Sequence, residues 1–146
     1  MARINAKDLA DGPDNYERII ELCDKAIEIR PDSFDAYELK AQALVRLERY
    51  SEAIDEYVHA LAMKDSVSIW LEIANLNRLN GNFDDALDLY DFVLDKYRRY
   101  ADAKKGKARV YFDMGDYAEC DNMFKQANNI ENLDEESFKI WSECLI

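Results

Sequence analysis

The feature that most constrains this chain is a pattern that returns. Tyr50, Ala53, Tyr57 and Ala60 set out aromatic, small, aromatic, small at helical spacing. Phe83, Ala86, Tyr90 and Val93 repeat it 33 residues on, and Tyr117, Cys120, Phe124 and Ala127 repeat it 34 residues after that. Tyr16, Ile19, Cys23 and Ala26 hold the same slots 34 residues before Tyr50, Ala53, Tyr57 and Ala60. A period of this length predicts stacked helical pairs, each of which buries its apolar face only against its neighbours.

A second set interleaves with the first. Tyr37 and Ala41 recur as Trp70 and Ala74, and Ala74 recurs as Ala108. A small residue lets two helix axes approach, and an aromatic three or four residues away fills the groove beside it. The punctuation agrees with helices joined by short turns. A short helix is expected over 2–11, closed by Gly12 and Pro13, then one from Asp14 to Ile29 stopped by Pro31. Asp32 or Ser33 caps a third, which runs through Glu48. Further helices are expected from Ser51 to Met63, Ser66 to Leu79, Asp84 to Tyr97 and Ala101 to Met114. Asp116 caps one to Asn129, and Asp134 caps the last, to Ile146. Asn80-Gly81-Asn82 and Gly115 supply residues that tolerate positive φ at helix ends. The expectation is an all-α chain of about nine helices, with no strand signal.

Charge narrows the functions open to such a chain. Its 31 acidic residues against 19 basic ones leave a net charge of -12. That balance disfavours nucleic acid and anionic membrane surfaces as partners. No run is apolar for the ~18 residues that a membrane span needs. The first residues, with Arg3, Lys7 and Asp8, lack the apolar core of a signal peptide. Cys23, Cys120 and Cys144 form no CxxC pair and are odd in number, so they read as free thiols of a reducing compartment, and the location as cytoplasmic.

At these residues the sequence resembles the tetratricopeptide repeat family, whose pattern runs aromatic, small, Gly, aromatic, Ala, aromatic, Ala. One copy reads Tyr37, Ala41, Tyr50, Ala53, Tyr57, Ala60. The next reads Trp70, Ala74, Gly81, Phe83, Ala86, Tyr90, Val93. The third reads Ala108, Tyr111, Gly115, Tyr117, Cys120, Phe124, Ala127. The resemblance implies a right-handed α-solenoid of stacked antiparallel helix pairs. It lays out 1–146 as a single domain: a partial repeat over 1–33, full repeats over 34–66, 67–100 and 101–134, and a capping helix over 135–146. Lys104 stands in an aromatic slot, Lys40 and Lys107 in a usual Leu slot, and Asn77 in a bulky one.

No catalytic constellation is present in the sequence. His59 is the single histidine, so a histidine triad or a histidine-based metal cluster would have to be built on it. The acids Asp84, Asp85, Asp88, Asp91 and Asp95 lack the spacing of calcium loops and read as a solvated face. No phosphate-cradling loop exists. The expectation is a non-catalytic scaffold without metal or cofactor.

The resemblance implies that the first helix of each pair lines a concave groove where partners lie. Projected here, the groove takes Glu38 and Gln42, then Leu71, Asn75 and Arg78, then Lys105, Arg109 and Phe112, with Lys139 from the last helix. Such a surface suits a peptide or helix of another protein. The clamp by which some relatives hold a chaperone's C-terminal carboxylate is absent, since its slots hold Glu38, Gln42, Glu72, Asp102 and Gly106. Lys96 to Arg109 is a basic island in an acidic chain, and Lys105 with Arg109 could anchor an acidic partner segment. The alternative is that these cations pair with surrounding acids. On the last helix, Phe138, Trp141 and Leu145 share a face that can cover the preceding repeat. Ile140, Cys144 and Ile146 then point elsewhere, which makes them candidates for self-association into a homo-oligomer.

If the small residues sit at helix crossings, Ala53→Leu or Ala86→Leu overpacks the crossing. Thermal unfolding should show a loss of about 1–3 kcal/mol for each.

Overall fold

The computed structural model describes residues 12–146. The helix expected over 2–11 lies outside the described residues. Those described form eight helices and no strand. They divide into two compact units between Ser66 and Val67.

The first unit holds α1 (Gly12–Ile29), α2 (Phe34–Arg46) and α3 (Tyr50–Met63), with α2 packed on both α1 and α3. Ser33 caps α2, its hydroxyl accepting from the Ala36 N–H at 3.4 Å. At the α2–α3 crossing Ala41, Ala53 and Ala60 are fully buried, and Tyr57 nearly so. Lys40, in the expected Leu slot, carries an ion pair instead of packing. Its Nζ lies 2.7 Å from Asp24 on α1 and 3.3 Å from Glu56 on α3. Burial opposes the charge, but the two carboxylates outweigh it and raise the Lys40 pKa.

The second unit holds α4 (Val67–Leu79), α5 (Phe83–Lys96), α6 (Ala101–Met114), α7 (Tyr117–Ile130) and α8 (Glu135–Cys144). Here α4 packs on α5 and α6, α5 on α6, and α6 on α7 and α8, while α7 also meets α8. Ala74, Ala86, Ala108 and Cys120 have no exposed surface, and Tyr90 and Phe124 fill the space beside them. Lys107 repeats the Lys40 device, its Nζ 2.6 Å from Asp91 across the α5–α6 contact. Lys104 Nζ donates to Gln126 Oε1 at 2.6 Å. Asn77 is buried, and its amide donates to the Ile73 carbonyl at 3.0 Å, so it adds no unsatisfied donor to the core.

Three helix ends close in one way. The N–H of Arg49, Asn82 and Asp116 reaches back five residues to the carbonyls of Leu44, Asn77 and Tyr111, at 2.8–2.9 Å. This closure needs the preceding residue in the left-handed region. Gly81 and Gly115 supply it at φ 80° and 81°, but Glu48 supplies it at 58°. The helix expected to run through Glu48 therefore ends at Arg46.

The C-terminal region departs from expectation in two respects. Cys120 and Cys144 are not free thiols: they form a disulfide with Cα atoms 6.6 Å apart, which ties α8 to α7. Closing a loop with a sequence separation of 24 contributes about 3–4 kcal/mol in the chain-entropy account. Cys23 alone remains free, and burial pushes its thiol up to about 11. Second, α8 is rotated relative to the expected face. Cys144 is buried, Ile140 and Trp141 pack on the Cys120, Met123, Phe124 and Ala127 cluster, and Phe138 and Leu145 are exposed. The disulfide and a 2.8 Å hydrogen bond from Trp141 Nε1 to Asp121 set that rotation. Of the three self-association candidates, only Ile146 is fully exposed.

Relieving the left-handed strain at Glu48 should outweigh the extra chain freedom of glycine. Glu48→Gly is expected to stabilise the protein by about 0.5–1 kcal/mol, read as a raised thermal midpoint.

Candidate functional site

Two adjoining clefts open in the second unit. The larger, about 320 Å³, is lined by Ser68, Leu71, Glu72 and Asn75 of α4, Tyr90 of α5, and Tyr100, Asp102 and Arg109 at and along α6. The smaller, about 200 Å³, shares Asn75, Tyr90, Asp102 and Arg109, and adds Lys105, Gly106, Asp134, Glu136, Ser137 and Ile140. Polar and charged groups dominate both. An enclosed small-molecule site would be mainly apolar.

Gly106 shapes the floor. A Cβ built on it would overlap the Tyr90 ring and stand 2.6 Å from the Tyr90 hydroxyl oxygen. The bare backbone of α6 thus lets a side chain from α5 lie across it and reach the clefts. Tyr90 is only 3% exposed, yet its hydroxyl makes no hydrogen bond to any described residue. Burial pushes its pKa up to about 12 against the opposing charges of Arg78 and Arg109. The phenol therefore stays neutral and can donate or accept.

Asn75 is held by Arg78, whose Nε and Nη2 donate to its Oδ1 at 3.2 and 2.9 Å. Arg78 itself is pinned by Asp113, 2.7 Å from Nη1. The Asn75 amide nitrogen is left as the donor end. Lys105 Nζ lies 3.1 Å from Asp102 and 3.5 Å from Asp134. Burial opposes its charge, but the Asp102 hydrogen bond and the two carboxylates raise its pKa. Arg109 Nη2 lies 3.4 Å from Glu136. The Ser137 hydroxyl, 2.6 Å from Asp134 Oδ1, and then the Lys105 charge hold the Asp134 carboxyl below its ordinary value.

Of the expected groove residues, Leu71, Asn75, Lys105 and Arg109 meet at these clefts. Arg78 stands behind Asn75. Phe112 instead packs on Tyr117, with ring centroids 5.7 Å apart, and on the last core cluster. Lys139 is exposed and lines neither cleft. Glu38 and Gln42 lie on α2 in the first unit, half-buried and exposed respectively. Ile140, expected on a self-association face, lines the smaller cleft. Tyr90 and Gly106 escaped notice as site residues, since Tyr90 occupies a slot that reads as core. His59 is exposed on α3, 3.5 Å from Glu56 and beside the Tyr37 ring. Among the described residues no group of three or more potential ligands could hold a metal.

Two sequence profiles described as tetratricopeptide repeat match the chain, one over residues 65–133 and one over 22–55. The chain belongs to the tetratricopeptide repeat family. No curated protein sequence is significantly similar to this repeat protein. Solved structures share its fold at low identity. A MamA structure, MSR-1 C2, matches with a TM-score of 0.67 and 22% identity over 79% of this chain and 67% of its own. YrrB, described as a TPR protein with an unusual peptide-binding site, matches with a TM-score of 0.67 and 17% identity, covering 90% and 68%. The Sgt2 TPR domain from Aspergillus fumigatus matches with a TM-score of 0.67 and 17% identity, covering 77% and 76%. Among the described residues no helix is long and apolar enough to cross a membrane.

Gly106→Ala sets a methyl group against the Tyr90 ring. It is expected to cost about 1–3 kcal/mol in thermal unfolding, the range for overpacking a filled site.

Proposed function

We propose that this repeat protein is a non-catalytic scaffold that takes a peptide or helix of a partner protein along the first helices of its repeats. Repeats over 34–66, 67–100 and 101–134 would each present one such helix. The observation that carries the reading is the pair of open, polar clefts on α4 and α6, with Leu71 as an apolar contact in the larger one. Asn75, locked by Arg78, and the Tyr90 hydroxyl, which bonds to no described residue, offer hydrogen-bonding groups at one level. An extended backbone can use such groups, while Leu71 contributes desolvation and the flanking charges set register. The description of YrrB as peptide-binding is in keeping with this reading. Partners such as nucleic acid fit poorly with a net charge of -12. The proposed setting is cytoplasmic, and in it the Cys120–Cys144 bond would be one that its surroundings can reduce.

The test is affinity capture from the native cell with the wild-type chain and with Leu71→Ala/Asn75→Ala. The double variant should lose the captured protein while still unfolding in one cooperative thermal transition, its midpoint lowered by the lost Leu71 packing and Asn75–Arg78 bonds. An unchanged capture pattern would remove these clefts as the binding surface.

A further inference from the structure

The acids on the smaller cleft are not all of one kind. Asp102 belongs to α6 itself, whereas Asp134 and Glu136 come from the start of α8. They sit where an acidic partner segment would, on Lys105 and Arg109 at 3.5 and 3.4 Å. Both pairs are long, and the acids are more than half exposed, so each ion pair alone holds α8 weakly. The rest of the hold is a partly buried apolar contact, with Ile140 and Trp141 packed on the last core cluster. Within α8 only Ser137 and Cys144 are buried, and Cys144 is the residue bonded to Cys120. Trp141 adds its hydrogen bond to Asp121 and a stacked contact with Phe124.

We propose that α8 is an intramolecular occupant of the cleft's basic end, latched by the Cys120–Cys144 disulfide, and that reduction gives Lys105 and Arg109 to an acidic segment of the partner. The proposal rests on the scaffold reading above and adds the partner's chemistry and its control. The ligand class is read from the occupant: two carboxylates two positions apart, one for each cation. Net charge opposes such a partner at long range, but at physiological salt screening sets in over about 8 Å, so the contact pairs decide. In the chemical step a dithiol's thiolate attacks Cys144 Sγ, and the Cys120 thiolate leaves and takes a proton from water. The dithiol's second sulfur, as thiolate, then displaces Cys144, which is also protonated. Two electrons pass to the protein, and the dithiol ends as its own disulfide.

The test uses the full chain, oxidised and treated with dithiothreitol, together with Cys144→Ser as a permanently unlatched variant. Amide hydrogen exchange over 135–144 should quicken at least about tenfold on reduction, with α4 to α6 unchanged. A fluorescent glutamate-rich peptide should bind the reduced chain and Cys144→Ser about tenfold or more tightly than the oxidised chain, and Arg109→Glu in the Cys144→Ser background should erase the gain. Exchange over 135–144 that ignores reduction overturns the latch. Faster exchange without tighter peptide binding overturns the acidic-partner assignment. In either case the Leu71→Ala/Asn75→Ala capture experiment still decides the scaffold reading independently.

Discussion

An aromatic ring set against a stretch of backbone that has no side chain is the contact on which the site depends. Tyr90 can cross α6 only because position 106 is glycine. The same need for close approach governs the other crossings, where Ala53, Ala86 and Cys120 are completely buried beside Tyr57, Tyr90 and Phe124. Within the second unit α4 and α5 both pack on α6, and α6 packs on α7. There Tyr90, a buried member of the α5 packing layer, also lines both clefts.

Several departures from the repeat pattern become intelligible once partners are visible. Lys40 and Lys107 replace an apolar contact with an ion pair between neighbouring helices. Asn77 satisfies its own helix. Glu48 holds a conformation that Gly81 and Gly115 hold at less cost. Each exchange keeps the spacing of the helices while changing what fills it, which is why the pattern tolerates them.

The helices were legible because their signals are local: apolar spacing, caps at Ser33 and Asp116, and glycine at two of three left-handed turns. The cleft was legible in part. Leu71, Asn75, Lys105 and Arg109 follow from first-helix periodicity, but Tyr90 sits in a slot that periodicity assigns to the core. Tyr90 is in the core as that slot implies, and it lines the clefts as well because Gly106, a residue on another helix, leaves room for its ring. The Cys120–Cys144 bond was illegible for a similar reason. Neither cysteine lies in a pairing motif, and the bond depends on the rotation of α8, which it also fixes. An isolated terminal helix with Phe138, Ile140, Trp141 and Leu145 carries two plausible apolar faces, and the sequence offers no means of choosing between them. The basic island behaves likewise. Its sequence leaves open whether the cations stand free or pair with nearby acids, and Asp134, Asp91 and Glu136 lie against Lys105, Lys107 and Arg109.

The contact between Tyr90 and Gly106 can be observed directly in solution. By nuclear magnetic resonance, the Gly106 α-protons should show strong cross-relaxation with the Tyr90 ring protons and ring-current shifts that vanish in Tyr90→Leu. Gly106 α-protons with ordinary helical shifts and no contact to that ring would contradict the account.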